Sequence, residues 1–103
     1  MGAIYRATAN FPSGEKFGLT AQIRRAAVSL PSNIAEGFER QRSREYVRFL
    51  DIAQGSRGDL ETQLRIAAAL GYLPQAESSM LLIELRGLAK QPQALRTAIT
   101  RTI

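Results

Sequence analysis

The chain has 103 residues, a formal net charge of +5, and neither cysteine nor histidine. That length is one domain, large enough for a modest core without staples. Missing cysteine excludes disulfides and thiolate metal sites, and missing histidine removes the usual neutral-pH base and any Ser–His or Cys–His nucleophile pair.

In chain order, residues 1–10 hold Ile4, Tyr5, Ala7 and Ala9, a helical fragment closed by Asn10, Phe11 and Pro12. Pro12 biases Phe11 away from helix. Ten residues at 1.5 Å each span about 15 Å, much less than the helices that follow. A first helix this short leaves part of the core uncovered. Either the start of the chain is cut short or something else fills the groove.

The second helix is predicted from Gly14 to Glu39, with Ser13 as N-cap and Glu15 in the first turn. Ile23, Ala26, Ala27, Leu30, Ile34 and Phe38 fall on one face. Beside them Gln22, Ser29, Asn33, Glu36 and Arg40 make a polar row. On the far flank Phe17, Ala21, Val28 and Ala35 make a second apolar seam. A helix with two seams and a polar row between them packs twice, on its own bundle and on a neighbouring copy. Partly buried polar groups must then find partners. Pro31 sits inside this helix. The apolar stripe keeps its phase across it, which predicts a kink. The alternative is a break, with Ser29 or Leu30 capping a new helix. Gly37 permits close backbone approach.

Ser43 is the expected cap of a third helix running to about Leu70, with Gly71 as C-cap and Pro74 beyond. Its stripe is Tyr46, Phe49, Leu50, Ala53, Ser56, Leu60, Leu64 and Ala67. Ile52, Ile66 and Leu70 form a side seam. Gly55, Ser56 and Gly58 make a small-residue waist for close helix packing. Arg57 falls at the centre of the apolar face. It must snorkel or find a carboxylate, with Asp59 and Glu36 as candidates. The fourth helix starts near Gln75. Leu81, Leu85, Leu88, Leu95 and Ile99 repeat in near-heptad steps, with Pro92 in the missing one. No strand alternation appears. The fold class is all-α: an antiparallel up-and-down four-helix bundle, one domain over residues 1–103, with a shortened first helix.

Lys16 and Lys90 are the only lysines among fourteen basic residues, leaving twelve arginines. Arginine forks onto phosphate as lysine cannot. Arg40, Arg42, Arg44 and Arg48 crowd the turn between the second and third helices, with Arg24 and Arg25 further down the second. Such a cluster can grip consecutive phosphates, or be a solvated turn with local pairs such as Glu36 to Arg40. The nearby aromatics are Phe38, Tyr46 and Phe49, which belong to the core. Base stacking is not expected, so binding would be led by the backbone. Glu36, Asp51, Asp59 and Glu61 lie near the interior. A di-metal bundle site wants Glu-x-x-His pairs, which this chain lacks. Gly55-Ser56-Arg57-Gly58 lies mid-helix with no strand before it, so it does not read as a phosphate loop.

The run Gln22-Ile-Arg-Arg-Ala-Ala-Val-Ser-Leu-Pro-Ser-Asn-Ile-Ala-Glu-Gly37, then Arg48-Phe-Leu-Asp-Ile-Ala-Gln-Gly-Ser56, Leu60-Glu-Thr-Gln-Leu64 and Leu70-Gly-Tyr72 closely resemble the bacterial four-helix-bundle family. This intervening-sequence, or ribosomal-protein-like, family is encoded within inserts of large-subunit ribosomal RNA genes. The resemblance covers roughly residues 11–73. It implies a homopentameric barrel of four-helix protomers. A related branch comprises the accessory proteins of diversity-generating retroelements, where a basic pentamer binds nucleic acid and the reverse transcriptase. The family carries no catalytic residues to transfer. Its signature, Ser29, Pro31, Ser32, Asn33, Ile34, Ala35, Glu36 and Gly37, reads as structural. Two positions depart from it: the first helix is shorter, and Arg57 stands where the family is usually apolar.

The expected function is therefore non-enzymatic. A homo-oligomer, a pentamer by resemblance, would pair through Phe17, Ala21, Val28, Ala35, Ile52 and Ile66. It would bind RNA or DNA backbone through Arg40, Arg42, Arg44, Arg48, Arg24 and Arg25. A reverse transcriptase is a further partner implied by the resemblance. The alternative is a structural or protein-interaction scaffold whose charge only keeps it soluble. No cofactor and no metal is expected. No apolar run reaches the ~20 residues of a membrane span, and no signal peptide is apparent, so the expected location is cytoplasmic.

Overall fold

The computed structural model describes residues 2–40 and 44–90. They form four α-helices and no strand: α1 (Gly2–Thr8), α2 (Leu19–Glu39), α3 (Arg44–Ala69) and α4 (Gln75–Lys90). The chain folds as an all-α four-helix bundle. Its spine is the α2–α3 hairpin, the most extensive helix pair. The expectations at Ser43, Pro92, Leu95 and Ile99, and those on the side chains of Phe38 and Leu88, lie outside the described residues.

One stripe from each long helix builds the core. Ile23, Ala27, Leu30 and Ile34 of α2 meet Ala53, Leu60, Leu64 and Ala67 of α3, all buried. Leu81 and Leu85 close the α4 side, and Ile4 the α1 side. Ser78 of α4 is fully buried and its hydroxyl donates to the Leu64 carbonyl at 3.4 Å. These are the faces that 3.6-residue periodicity predicts.

The start of α2 differs from the sequence expectation. Ser13–Glu15 make a 3-10 turn, and the α-helix begins at Leu19 rather than at Gly14. Ser13 makes no capping bond; instead the Glu15 carboxylate accepts the Leu19 N–H from one turn upstream, at 3.5 Å. Gly14 and Gly18 explain the delay, since glycine favours helix least after proline. Pro31 does not break α2, which is continuous from Leu19 to Glu39. The alternative of a new helix capped at Ser29 or Leu30 is thereby excluded.

The far end of α3 matches its expected cap. Gly71 takes φ of 79°, the left-handed region. Tyr72 N–H reaches the Ala67 carbonyl at 2.9 Å and Gly71 N–H the Ala68 carbonyl at 3.0 Å. That is the paired 6→1 and 5→2 pattern of a Schellman ending. Here Phe11 packs on Tyr72, ring centroids 5.6 Å apart, which holds the α1–α2 connection against the α3–α4 turn.

Two further expectations are corrected. Arg57 pairs with neither Asp59 nor Glu36. Its Nη1 lies 3.3 Å from Glu61, one turn on, and its Nε donates to Gln54 Oε1 at 2.8 Å. Glu61 also takes Arg86 of α4 at 3.2 Å, so the carboxylate ties α3 to α4. The i,i+4 partner wins because it shares the helix face of Arg57. The small-residue waist is likewise unfilled within the protomer: a Cβ at Gly55 or Gly58 would meet nothing within 4 Å. The close approach is at Gly37, where a Cβ would stand 3.3 Å from Phe49 Cβ and 3.5 Å from the Tyr46 carbonyl oxygen.

Candidate nucleic-acid interface and assembly groove

The six arginines of the expected interface do not form one patch. Arg25 and Arg40 are fifteen residues apart on α2, which at 1.5 Å per residue separates them by about 22 Å. At the hairpin end, Arg40 and Arg48 are both exposed. Arg40 Nη1 donates to Glu45 Oε2 at 2.6 Å, and its guanidinium lies 5.5 Å over the Phe49 ring. Glu45, not Glu36, is the carboxylate it meets. Arg44 is the first residue of α3; its side chain and Arg42 lie outside the described residues.

Further down α2, Arg24 is held by α1. Its Nε donates to Thr8 Oγ1 at 3.0 Å, its Nη2 reaches the Tyr5 carbonyl at 3.5 Å, and it sits 4.9 Å over the Tyr5 ring. Such stacking of a cation on an aromatic face adds perhaps 0.5–1 kcal/mol at an exposed site. Arg25 beside it is exposed and turned to the other flank.

That flank borders an open groove of about 780 Å³ between α2 and α3, running from Arg25, Val28 and Ser32 to Ser56, Asp59 and Gln63. Ser29 of α2 and Ser56 of α3 meet across its floor, hydroxyl to hydroxyl, at 2.8 Å. Asn33 Nδ2 donates to the Ser29 carbonyl at 2.8 Å and to its hydroxyl at 3.0 Å. A hydroxyl pair between two helices fixes their register, since a slip of one residue moves both groups off the contact. Gln63 Oε1 is buried and has no hydrogen-bond partner among the described residues. A buried acceptor without a donor carries a desolvation cost of about 1–3 kcal/mol.

The remaining expected residues fall as follows. Val28, Ile52 and Ile66 are 50%, 41% and 45% exposed, large apolar side chains in solvent. Ala21 lines the groove. Ala35 is half-buried and packs on the core. Phe17 is exposed before α2 begins, with the Lys16 ammonium 5.6 Å from its ring centre. In the signature, Pro31 and Glu36 are half-buried, Ser32 is exposed and Gly37 is buried. Among the described residues no three acidic side chains gather as a metal site would require, and no helix is long and apolar enough to cross a membrane.

Sequence reasoning missed the outer face of α4, where Met80 and Ile83 are 65% and 70% exposed. Attention to the Leu81–Leu85 seam hid a second spacing of four and three, Ala76, Met80 and Ile83, on the opposite side of the same helix.

Comparison with known proteins gives one match. The sequence model of a family described as 23S rRNA-intervening sequence protein matches residues 1–94. No curated protein matches the chain significantly.

Proposed function

Because the chain belongs to the 23S rRNA-intervening sequence protein family, we propose that it is a non-enzymatic homo-oligomer that holds nucleic-acid backbone, RNA first, at the α2–α3 end. The observation that carries this reading is four arginines in nine residues, Arg40, Arg42, Arg44 and Arg48, spanning that turn in a chain of net charge +5. Arginine dominates the basic residues, and its planar fork suits phosphate oxygens. The core aromatics leave no stacking platform there, so contacts to phosphate carry the affinity and sequence preference is weak.

The salt dependence is quantitative. Four phosphate contacts on a single strand give a log–log slope of about −0.7 × 4, so affinity falls about 50-fold from 50 to 200 mM salt. Filter binding at those two concentrations tests this. Changing Arg40, Arg42, Arg44 and Arg48 together to Gln removes both the binding and its salt slope while oligomer mass stays constant. Binding that survives the quadruple change places the contact elsewhere, and no binding at low salt rejects the reading.

The second reading is a protein-interaction scaffold. It is favoured by the engagement of Arg24 with α1 and of Arg40 with Glu45, and by the apolar side chains exposed along α2 and α3. A finer role, as accessory protein to an RNA gene insert or to a reverse transcriptase, adds a protein partner to the first reading. A reverse transcriptase encoded beside this chain, and held by the basic oligomer in a pull-down, is its test.

A further inference from the structure

The outer surface of the α2–α3 hairpin carries two seams with coiled-coil spacing. On α2, Ala21, Arg25, Val28, Ser32 and Ala35 advance in steps of four and three. On α3, Ile52, Ser56, Asp59, Gln63, Ile66 and Leu70 do the same. Regular 4-3 spacing is what a helix presents to another helix through knobs-into-holes packing. The groove lies between these seams, and no residue of α4 lines it. Two seams side by side make a cradle for a third helix that the protomer itself does not supply.

The same chain displays a helix of matching pattern with no partner. Ala76, Met80 and Ile83 are exposed on the face of α4 opposite Leu81 and Leu85. Glu77 and Glu84, seven residues apart and both exposed, flank that strip on one side. The groove is rimmed by Arg24 and Arg25. The knob helix is thus edged with acid and the cradle with base.

We propose that copies of this chain join head to tail, the outer face of α4 from one copy seated in the α2–α3 groove of the next. This rests on the oligomeric reading above and specifies its contact. The occupant is a second copy of the chain because spacing, exposed apolar surface and charge all match within one sequence. The contact is heterologous, so each copy uses two different surfaces and the assembly closes as a ring or grows as a filament. Isolated exposed apolar residues need no explanation, but two complementary strips on one molecule do.

A heterologous contact has a diagnostic that a symmetric one lacks. Val28→Glu spoils the groove and leaves α4 intact; Ile83→Glu does the reverse. Each variant alone runs at the 11.3 kDa protomer mass by light scattering, with unchanged helix content by circular dichroism. Mixed in equal amounts they form a dimer, through the one good contact that remains. The chain has no cysteine, which permits a second measurement that needs no folded mutant to lose mass. Val28→Cys and Ile83→Cys proteins mixed under mild oxidation give a crosslinked dimer, and neither alone does. An oligomer that ignores Ile83→Glu, or Val28→Cys that crosslinks to itself, overturns the pairing while leaving the oligomer standing. A wild-type chain that is monomeric at high concentration overturns the oligomer reading, and this contact with it.

Discussion

Adding one methyl group to three glycines gives opposite signs, and the structure fixes which is which. Alanine in place of glycine inside a helix is worth up to about 1 kcal/mol of helix stability. At Gly55 and Gly58 a Cβ meets nothing within 4 Å, so Gly55→Ala and Gly58→Ala each collect that gain. At Gly37 the new Cβ sits 3.3 Å from Phe49 Cβ and 3.5 Å from the Tyr46 carbonyl oxygen. Neither atom can swing aside by a rotamer change, because one is bonded to the α3 backbone and the other belongs to it. Relief requires α2 and α3 to part where they cross. Overpacking of this kind costs about 1–3 kcal/mol, so Gly37→Ala is net destabilising by about 1 kcal/mol. Each kcal/mol moves the midpoint by roughly 4–8 °C in a domain of this size. Urea and thermal melts at one fixed protein concentration read all three, since assembly makes stability depend on concentration. A Gly37→Ala protein that melts higher than wild type refutes the close approach of α2 and α3.

Two further outcomes follow from named contacts. Glu61 serves both Arg57 and Arg86, so Glu61→Gln costs about 1 kcal/mol and uncouples α4, whereas in an Arg57→Leu background the cost falls, because an apolar residue there needs no carboxylate; a double-mutant cycle in urea measures the difference, and equal costs in both backgrounds refute the coupling. The Tyr72 phenol is held above its ordinary 10.0 first by desolvation and then by the nearby Glu15 carboxylate, which accepts its hydrogen bond. A raised folded value means this group stabilises the fold fully below pH 10 and loses that stabilisation as pH climbs through the folded value; near-UV titration should show one of the three tyrosines ionising late, and Glu15→Gln should bring it earlier.

Much of the architecture was readable from periodicity and caps. The stripes through Ile23–Ile34 and Ala53–Ala67 are long and apolar, so tertiary packing confirms what spacing implies. Gly71 followed by Pro74 marks the end of α3 because only glycine takes the left-handed turn cheaply there. The start of α2 was misplaced because a serine before a glutamate imitates a capping signal while Gly14 and Gly18 favour a 3-10 turn. Arg57 was assigned the wrong carboxylates because a wheel weighs angle and ignores reach along the axis. The arginines illustrate a further limit. Sequence proximity groups Arg40 with Arg48, but only coordinates reveal that Arg24 leans on α1 and Arg40 on Glu45. The outer strip of α4 was overlooked because a leucine seam is the louder pattern, and Met80 and Ile83 carry a second spacing beneath it.

The tether between Arg24 and α1 has a consequence for order at the head of the protein. Seven residues are too few to stay helical unaided, so that segment keeps its shape by leaning on Ile4, Thr8 and the arginine that clasps Tyr5. Any polyanion that recruits the Arg24 guanidinium draws it off Thr8 and Tyr5 and slackens the first helix. Occupancy on one flank and folding on the other would then be read by the same side chain.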